Sequence, residues 1–195
     1  MNTGSISLMR VRLIRISAIS LCSATTAAGA LITIPLPIPI TMQLFGVFLS
    51  GFLLGPFWGA ISQAVYIVLG LIGFPVFAGG KGGLSVLASP TFGYLIAFPA
   101  ASAVAGIFSK DGKITFRTAS LSIGLAILII YACGVSYLWF WSKYIAGKPI
   151  TVGAAVSIGA VPFLPMDIFK GYLAAVIVRK LPRRFFIQNK FQAKI

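Results

Sequence analysis

Only two carboxylates occur in the 195 residues, Asp111 and Asp167, and the chain has no histidine. Asp167 stands three residues before Lys170, just after Pro165, at the start of the last apolar segment. At that spacing on a helix the two side chains share a face and reach one another. An ionised aspartate only accepts hydrogen bonds and a lysine only donates them. Each charge costs roughly 2.5–3.5 kcal/mol at a bilayer centre on insertion scales, and less toward the interface. Pro165 suits a first helical turn, which puts Asp167 near a helix end. The pair therefore reads either as an ion pair closing that end or as a polar site where the prolines break the backbone. The second reading makes Asp167 and Lys170 the first candidates for ligand contact. Asp111 lies in the one polar connection, 109–117, and reads as solvated.

A second candidate is Gly79-Gly80-Lys81-Gly82-Gly83. Four glycines in five residues favour no helix, and each allows close backbone approach to a ligand. The string lacks the GxxxxGK[ST] pattern of a phosphate loop. It reads as a lid over a ligand, with a plain flexible hairpin as the alternative. A third feature is small residues every fourth position in the first apolar run: Ser20, Ala24 and Ala28. Such a stripe lets another helix approach closely, whether from a partner or from the same chain. Cys22 and Cys133 fall inside apolar runs without a CxxC spacing and read as small buried fillers. With no histidine, zinc or haem ligation by imidazole is excluded, and no cofactor is called for.

The elements that must carry these residues are membrane helices. The chain is 58% hydrophobic and only 9% charged, against roughly 25% charged for soluble domains. The length allows one membrane domain, 1–195, with spans at about 11–33, 41–55, 57–74, 84–108, 118–141 and 165–181. Pro35, Pro37 and Pro39 force an extended connection after the first run. Gly55-Pro56 makes a tight turn between the second and third, and Pro90 interrupts the start of the fourth. The apolar stretch 150–164 reads as a broken or re-entrant segment before the last helix. The fold class is thus all-α, integral to the membrane, with six transmembrane helices.

Net charge is +14, which invites a nucleic-acid partner. The distribution of the charges argues against one. Arg10, Arg12 and Arg15 precede the first run. Lys110, Lys113 and Arg117 sit in the middle connection. Arg179, Lys180, Arg183, Arg184, Lys190 and Lys194 close the chain. Cytoplasmic placement of both termini puts these twelve inside and leaves Lys81, Lys143 and Lys148 outside, as the positive-inside rule requires. The expectation is a multi-pass protein of the cytoplasmic membrane, N-in and C-in, whose basic ends also touch anionic lipid. The tail after Arg183, with Phe185, Phe186 and Phe191, fits the bilayer surface. Ala28-Gly29-Ala30 imitates a signal-peptide cleavage site, but the run is followed by further spans and is expected to be retained.

Three strings carry a resemblance: ITIPLPIPITMQ (32–43), GFPVFAGGKGGLSVLASPTFGYLIAF (73–98) and FLPMDIFKGYLAA (163–175). Together, with matching helix order over about 12–181, they resemble the biotin-specific S component, the BioY family, of energy-coupling factor (ECF) transporters. The resemblance implies a six-helix membrane subunit that takes biotin from outside. It also implies partners, a transmembrane coupling protein and two cytoplasmic ATPases. The family's small-residue motif on helix one maps to Ala24 and Ala28, and its acid and lysine to Asp167 and Lys170. Met166, where family members more often carry glycine, and Lys81 within the glycine loop depart from the pattern.

Biotin's ureido group offers two N–H donors and a carbonyl, beside an apolar bicycle and a carboxylate chain. Asp167 suits the N–H groups and Lys170 the carbonyl or carboxylate. Gln43, Thr41 and Tyr94 are expected to add hydrogen bonds, and Phe77, Tyr66 and Phe92 apolar walls. The competing readings are an S component for another carboxylated vitamin, an intramembrane enzyme and a ligand-free structural subunit. The enzyme reading has no HExxH, no paired aspartates within the bilayer and no histidine base to support it.

Overall fold

The computed structural model describes residues 3–36, 38–109 and 114–182. The expectations placed on Pro37, Lys110, Asp111, Lys113 and the tail from Arg183 onward lie outside the described residues. Six helices follow in order: α1 Thr3–Leu31, α2 Gln43–Leu71, α3 Phe92–Ile107, α4 Phe116–Tyr144, α5 Val152–Gly159 and α6 Leu164–Lys180. A two-stranded hairpin, β1 Thr33–Ile34 with β2 Ile40–Thr41, joins α1 to α2, and a 3-10 helix, Leu84–Ala88, precedes α3.

α2 is two arms, 43–54 and 56–71. Gly55 takes φ 81° and ψ 179°, a conformation open to glycine, and Pro56 supplies no N–H to continue the ladder. The second arm turns back along the first. A Cβ on Gly59 would lie 3.0 Å from the Gly51 Cα, and Gln63 Nε2 donates to Ser50 Oγ at 2.9 Å. Gln43 also bonds Tyr66, 23 positions on; a straight helix would separate these two by about 34 Å.

This doubled α2 is the centre of the protein, packed against α1, α3 and α6, while α4 packs on α3, α5 and α6. Small residues set the close contacts. A Cβ on Gly106 of α3 would lie 2.5 Å from Gly55 C and Pro56 N, so α3 rests directly on the turn of α2. Several buried polar side chains are paired, whereas the Ser62 and Ser122 hydroxyls have no hydrogen-bond partner among the described residues. Gln63 spans Thr26 of α1 and Ser50 of the first arm, and Ser50 meets Ser102 of α3 at 2.8 Å. Thr26 and Thr25 also return their hydroxyls to carbonyls four residues back, so helix α1 tolerates them in an apolar setting.

The outside is apolar. Leu13, Ile16, Leu21, Leu31, Phe57, Val68, Leu128, Phe169 and Val176 are all exposed, a surface that only lipid or a protein partner can cover. Among the described residues, three helices are long and apolar enough by length and composition to cross a membrane: α1 over Met9–Leu31, α2 with its two arms counted together, and α4. The bent pair α5–α6 makes a fourth if taken as one span. The protein is an all-α, multi-pass membrane protein. α3 begins at Phe92 rather than at 84, because Ser89-Pro90-Thr91 separates it from the 3-10 turn. Cys22 is buried, as expected of a filler, but Cys133 is exposed on α4.

Candidate functional site

The break between α5 and α6 builds the polar site. α5 ends at Gly159, the chain turns through 46°, and α6 starts with Leu164 and Pro165. Pro165 needs no hydrogen-bond partner in a first turn. Asp167 N donates to Phe163 O at 2.9 Å, which fixes Asp167 at the amino end of α6, where the helix dipole favours a negative charge.

Lys170 Nζ donates to Asp167 Oδ1 at 2.7 Å, and Tyr131 of α4 donates its hydroxyl to Oδ2 at 2.6 Å. Asp167 is 5% exposed and Lys170 2%. Each carboxylate oxygen thus holds one strong donor and keeps a further lone pair. By hydrogen-bond capacity, the carboxylate can accept a further N–H without losing either bond.

Asp167, Lys170 and Tyr131 border a cavity of about 330 Å³, within the size range of small-molecule sites, roughly 300–1,000 Å³. The proline hairpin forms one side through Thr33, Pro35, Leu36, Ile38, Pro39, Ile40 and Thr41. The glycine loop contributes Phe77, Ala78, Gly79 and Lys81. Tyr94, Leu95 and Phe98 come from α3, and Ile130, Gly159 and Phe163 complete the wall. It is mostly apolar with a few convergent polar groups, as ligand sites generally are.

Of the residues singled out from sequence, Asp167, Lys170, Thr41, Gln43, Phe77, Gly79, Lys81 and Tyr94 border this cavity; Gly80, Gly82, Gly83, Tyr66 and Phe92 do not. Tyr66 is fully buried behind Gln43. Its hydroxyl accepts from Gln43 Nε2 and donates to Val76 O at 3.0 Å, so it orients the amide rather than forming a wall. Thr41 Oγ1 donates to Gln43 Oε1 at 2.7 Å. These bonds use one amide N–H of Gln43 and leave the other for a ligand. Phe92 stacks edge-on against Tyr137, with centroids 5.8 Å apart. Tyr94 spends its proton on Gly159 O at 2.8 Å, so toward the cavity its oxygen is an acceptor.

The glycine loop is a closed turn. Phe77 N donates to Lys81 O at 2.9 Å and Gly80 N to Phe77 O at 3.0 Å. Gly79 and Gly80 take φ 73° and 71°, which only glycine adopts freely. Phe77 is buried, its ring edge-on to Tyr66 and pressed on Gly70. Gly83 N is held by Gly70 O at 2.7 Å, and Gly82 backs onto Phe74 O. The loop is thus pinned at its root, and its tip borders the cavity.

Among the lining residues not singled out from sequence are Tyr131, Leu36 and Ile38 of the hairpin, and Gly159. Tyr131 lay within an apolar run 36 positions from its partner, and only packing brings the two together. The stripe Ser20, Ala24 and Ala28 is exposed throughout, whereas Cys22, Ser23, Thr26, Gly29 and Ala30 turn inward. It faces away from this chain's own helices.

The chain is similar to known proteins in sequence and in fold. The family model described as the BioY family matches residues 3–186. The chain is 37% identical over 167 residues to a probable biotin transporter BioY of Pyrococcus horikoshii, covering 85% of this chain and 94% of that one. It is 41% identical over 163 residues to the biotin transporter BioY of Thermotoga maritima, covering 83% and 91%. A crystal structure of the S-component for biotin from an ECF-type ABC transporter superposes with a TM-score of 0.78 at 26% identity, covering 96% of this chain and 99% of that one. By sequence along nearly its whole length and by fold, the chain belongs to the BioY family.

Proposed function

We propose that this protein is the substrate-binding S component of an ECF transporter for biotin and that it binds biotin in the cavity bordered by Asp167, Lys170 and Tyr131. The observation that carries the reading is the buried carboxylate, held by two donors and still able to accept. A cyclic urea supplies the N–H groups such a carboxylate takes, and Lys170 stands beside it as a donor for the ureido carbonyl. The apolar walls take the bicycle and chain. Lys81, which borders the cavity from the glycine loop, is the cation proposed to meet the ligand's carboxylate.

The reading extends to transport. Six crossings with both termini in the cytoplasm are supported by the distribution of basic residues and by an α2 whose two arms run in opposite directions. With that orientation the proline hairpin and the glycine loop face outward, and biotin enters from outside. The exposed stripe of Ser20, Ala24 and Ala28 then meets a helix of the transmembrane coupling protein, which two cytoplasmic ATPases drive. The protein performs no chemistry on its substrate.

Titration of purified, detergent-solubilised protein with biotin, biotin amide and a carboxylated vitamin that lacks a cyclic urea tests the reading. Biotin is expected to bind with sub-micromolar affinity, the amide more weakly, and the other vitamin not at all. Equal binding of the last would replace biotin by a different carboxylated vitamin.

A further inference from the structure

Ile38 stands between two cavities. It sits on the hairpin between β1 and β2, is buried, and packs with Leu138, Ala155 and Phe163. On one side it borders the cavity described above. On the other lies a second cavity of about 390 Å³, bordered by Leu138, Trp141, Ser142, Lys148, Ile150 and Ile158. Among the described residues, Pro90 alone also borders both. The two residues that face both spaces are thus apolar.

We propose that Ile38 and Pro90 set the length of ligand chain the protein accepts, by closing the ligand cavity against a second, apolar subsite able to hold an alkyl extension of that chain. The inference rests on the biotin reading. With the cyclic urea on Asp167 and the carboxyl end toward Lys81, the apolar chain runs past the hairpin, since Lys81 and Ile38 border the same cavity. A ligand prolonged by an alkyl group must displace Ile38, and Ile38 is wedged among three neighbours from α4, α5 and the α5–α6 break. Packed interiors resist such insertion. The second cavity is the space an extension would enter once the wedge is removed, because its lining is mostly apolar, with Ser142 and Lys148 the exceptions, and Ile158 in that lining is exposed.

The test uses two biotin amides of equal charge, N-methyl and N-hexyl, so that loss of the carboxylate cancels. Wild-type protein is expected to bind the hexyl amide about tenfold or more weakly than the methyl amide, the scale on which overpacking is felt. In Ile38→Ala the two should bind within about threefold of each other, and in Ile38→Ala with Ile158→Trp the discrimination should return as the second cavity is filled. Pro90→Ala opens the partition from the other side and is read by the same ratio should the hairpin variant lose all binding. A hexyl-to-methyl ratio unchanged in both openings, or a gain that survives Ile158→Trp, overturns the inference. Wild-type protein that fails to bind biotin itself overturns the underlying reading instead.

Discussion

Lys170 Nζ lies 2.7 Å from Asp167 Oδ1, one helical turn along α6, with both side chains buried. Removing one member leaves the other as an uncompensated charge in an apolar setting, which is a larger loss than the pair itself is worth. Lys170→Met should therefore reduce biotin affinity about tenfold or more. The double variant Asp167→Asn with Lys170→Met should lose less than the sum of the single losses, since the two act as one unit. Isothermal titration of the four proteins reads this directly, and additive losses would show independent roles.

Tyr131 acts through the same carboxylate. Tyr131→Phe keeps the ring and removes the donor to Asp167 Oδ2. Biotin affinity is expected to fall about tenfold, the scale of one charge-assisted bond. In an Asp167→Asn background the same change should matter much less. A loss of equal size in both backgrounds would make Tyr131 a packing residue only.

The stripe on α1 gives a prediction about assembly. Ala24→Leu with Ala28→Leu should block association with the coupling protein and leave biotin binding nearly intact, because bulk on an exposed face holds a neighbouring helix away. Copurification of the complete ECF module with tagged protein reads the first effect and titration the second. Loss of both together would contradict the outward role of this face.

Glycine positions separate packing from mere flexibility. A Cβ on Gly51 would strike the Ser102 backbone oxygen and the Ala105 methyl, whereas one on Gly124 of α4 would meet nothing within 4 Å. Gly51→Val is expected to destabilise by at least about 1–3 kcal/mol. Gly124→Ala should be neutral or stabilising by up to about 1 kcal/mol, from helix propensity alone. Thermal unfolding in detergent distinguishes them, and equal melting temperatures would refute the close packing of α2 on α3.

Much of this was legible from residue order, and what was not has a physical reason. Asp167 and Lys170 are near in sequence, so helical spacing alone predicts their contact. Gly55-Pro56 announces the turn in α2 because no other pair so plainly stops a helix. The prolines at 35 and 39 exclude a helix there, yet nothing in them says that the hairpin borders a ligand cavity or that Ile38 reaches the α5–α6 break. Tyr66 illustrates the converse: its aromatic character suggested a wall, while a Gln43 amide and the Val76 carbonyl draw its hydroxyl inward. Spacing aligned Ser20, Ala24 and Ala28, but only the packing of Thr26 and Gly29 on α2 turns that stripe outward.

Whether the Asp167 carboxylate receives the ligand's N–H groups is decided by calorimetric titration of biotin into wild-type and Asp167→Asn proteins prepared side by side. The substitution keeps shape and exchanges an ionised acceptor for an amide that is a weaker acceptor and itself a donor. A charged hydrogen bond is worth about 1.5–3 kcal/mol, so the predicted loss is roughly 10- to 150-fold in affinity from a sub-micromolar wild type. Unchanged biotin affinity in an Asp167→Asn protein with a lowered melting temperature would contradict it, because the pair would then only close the end of α6.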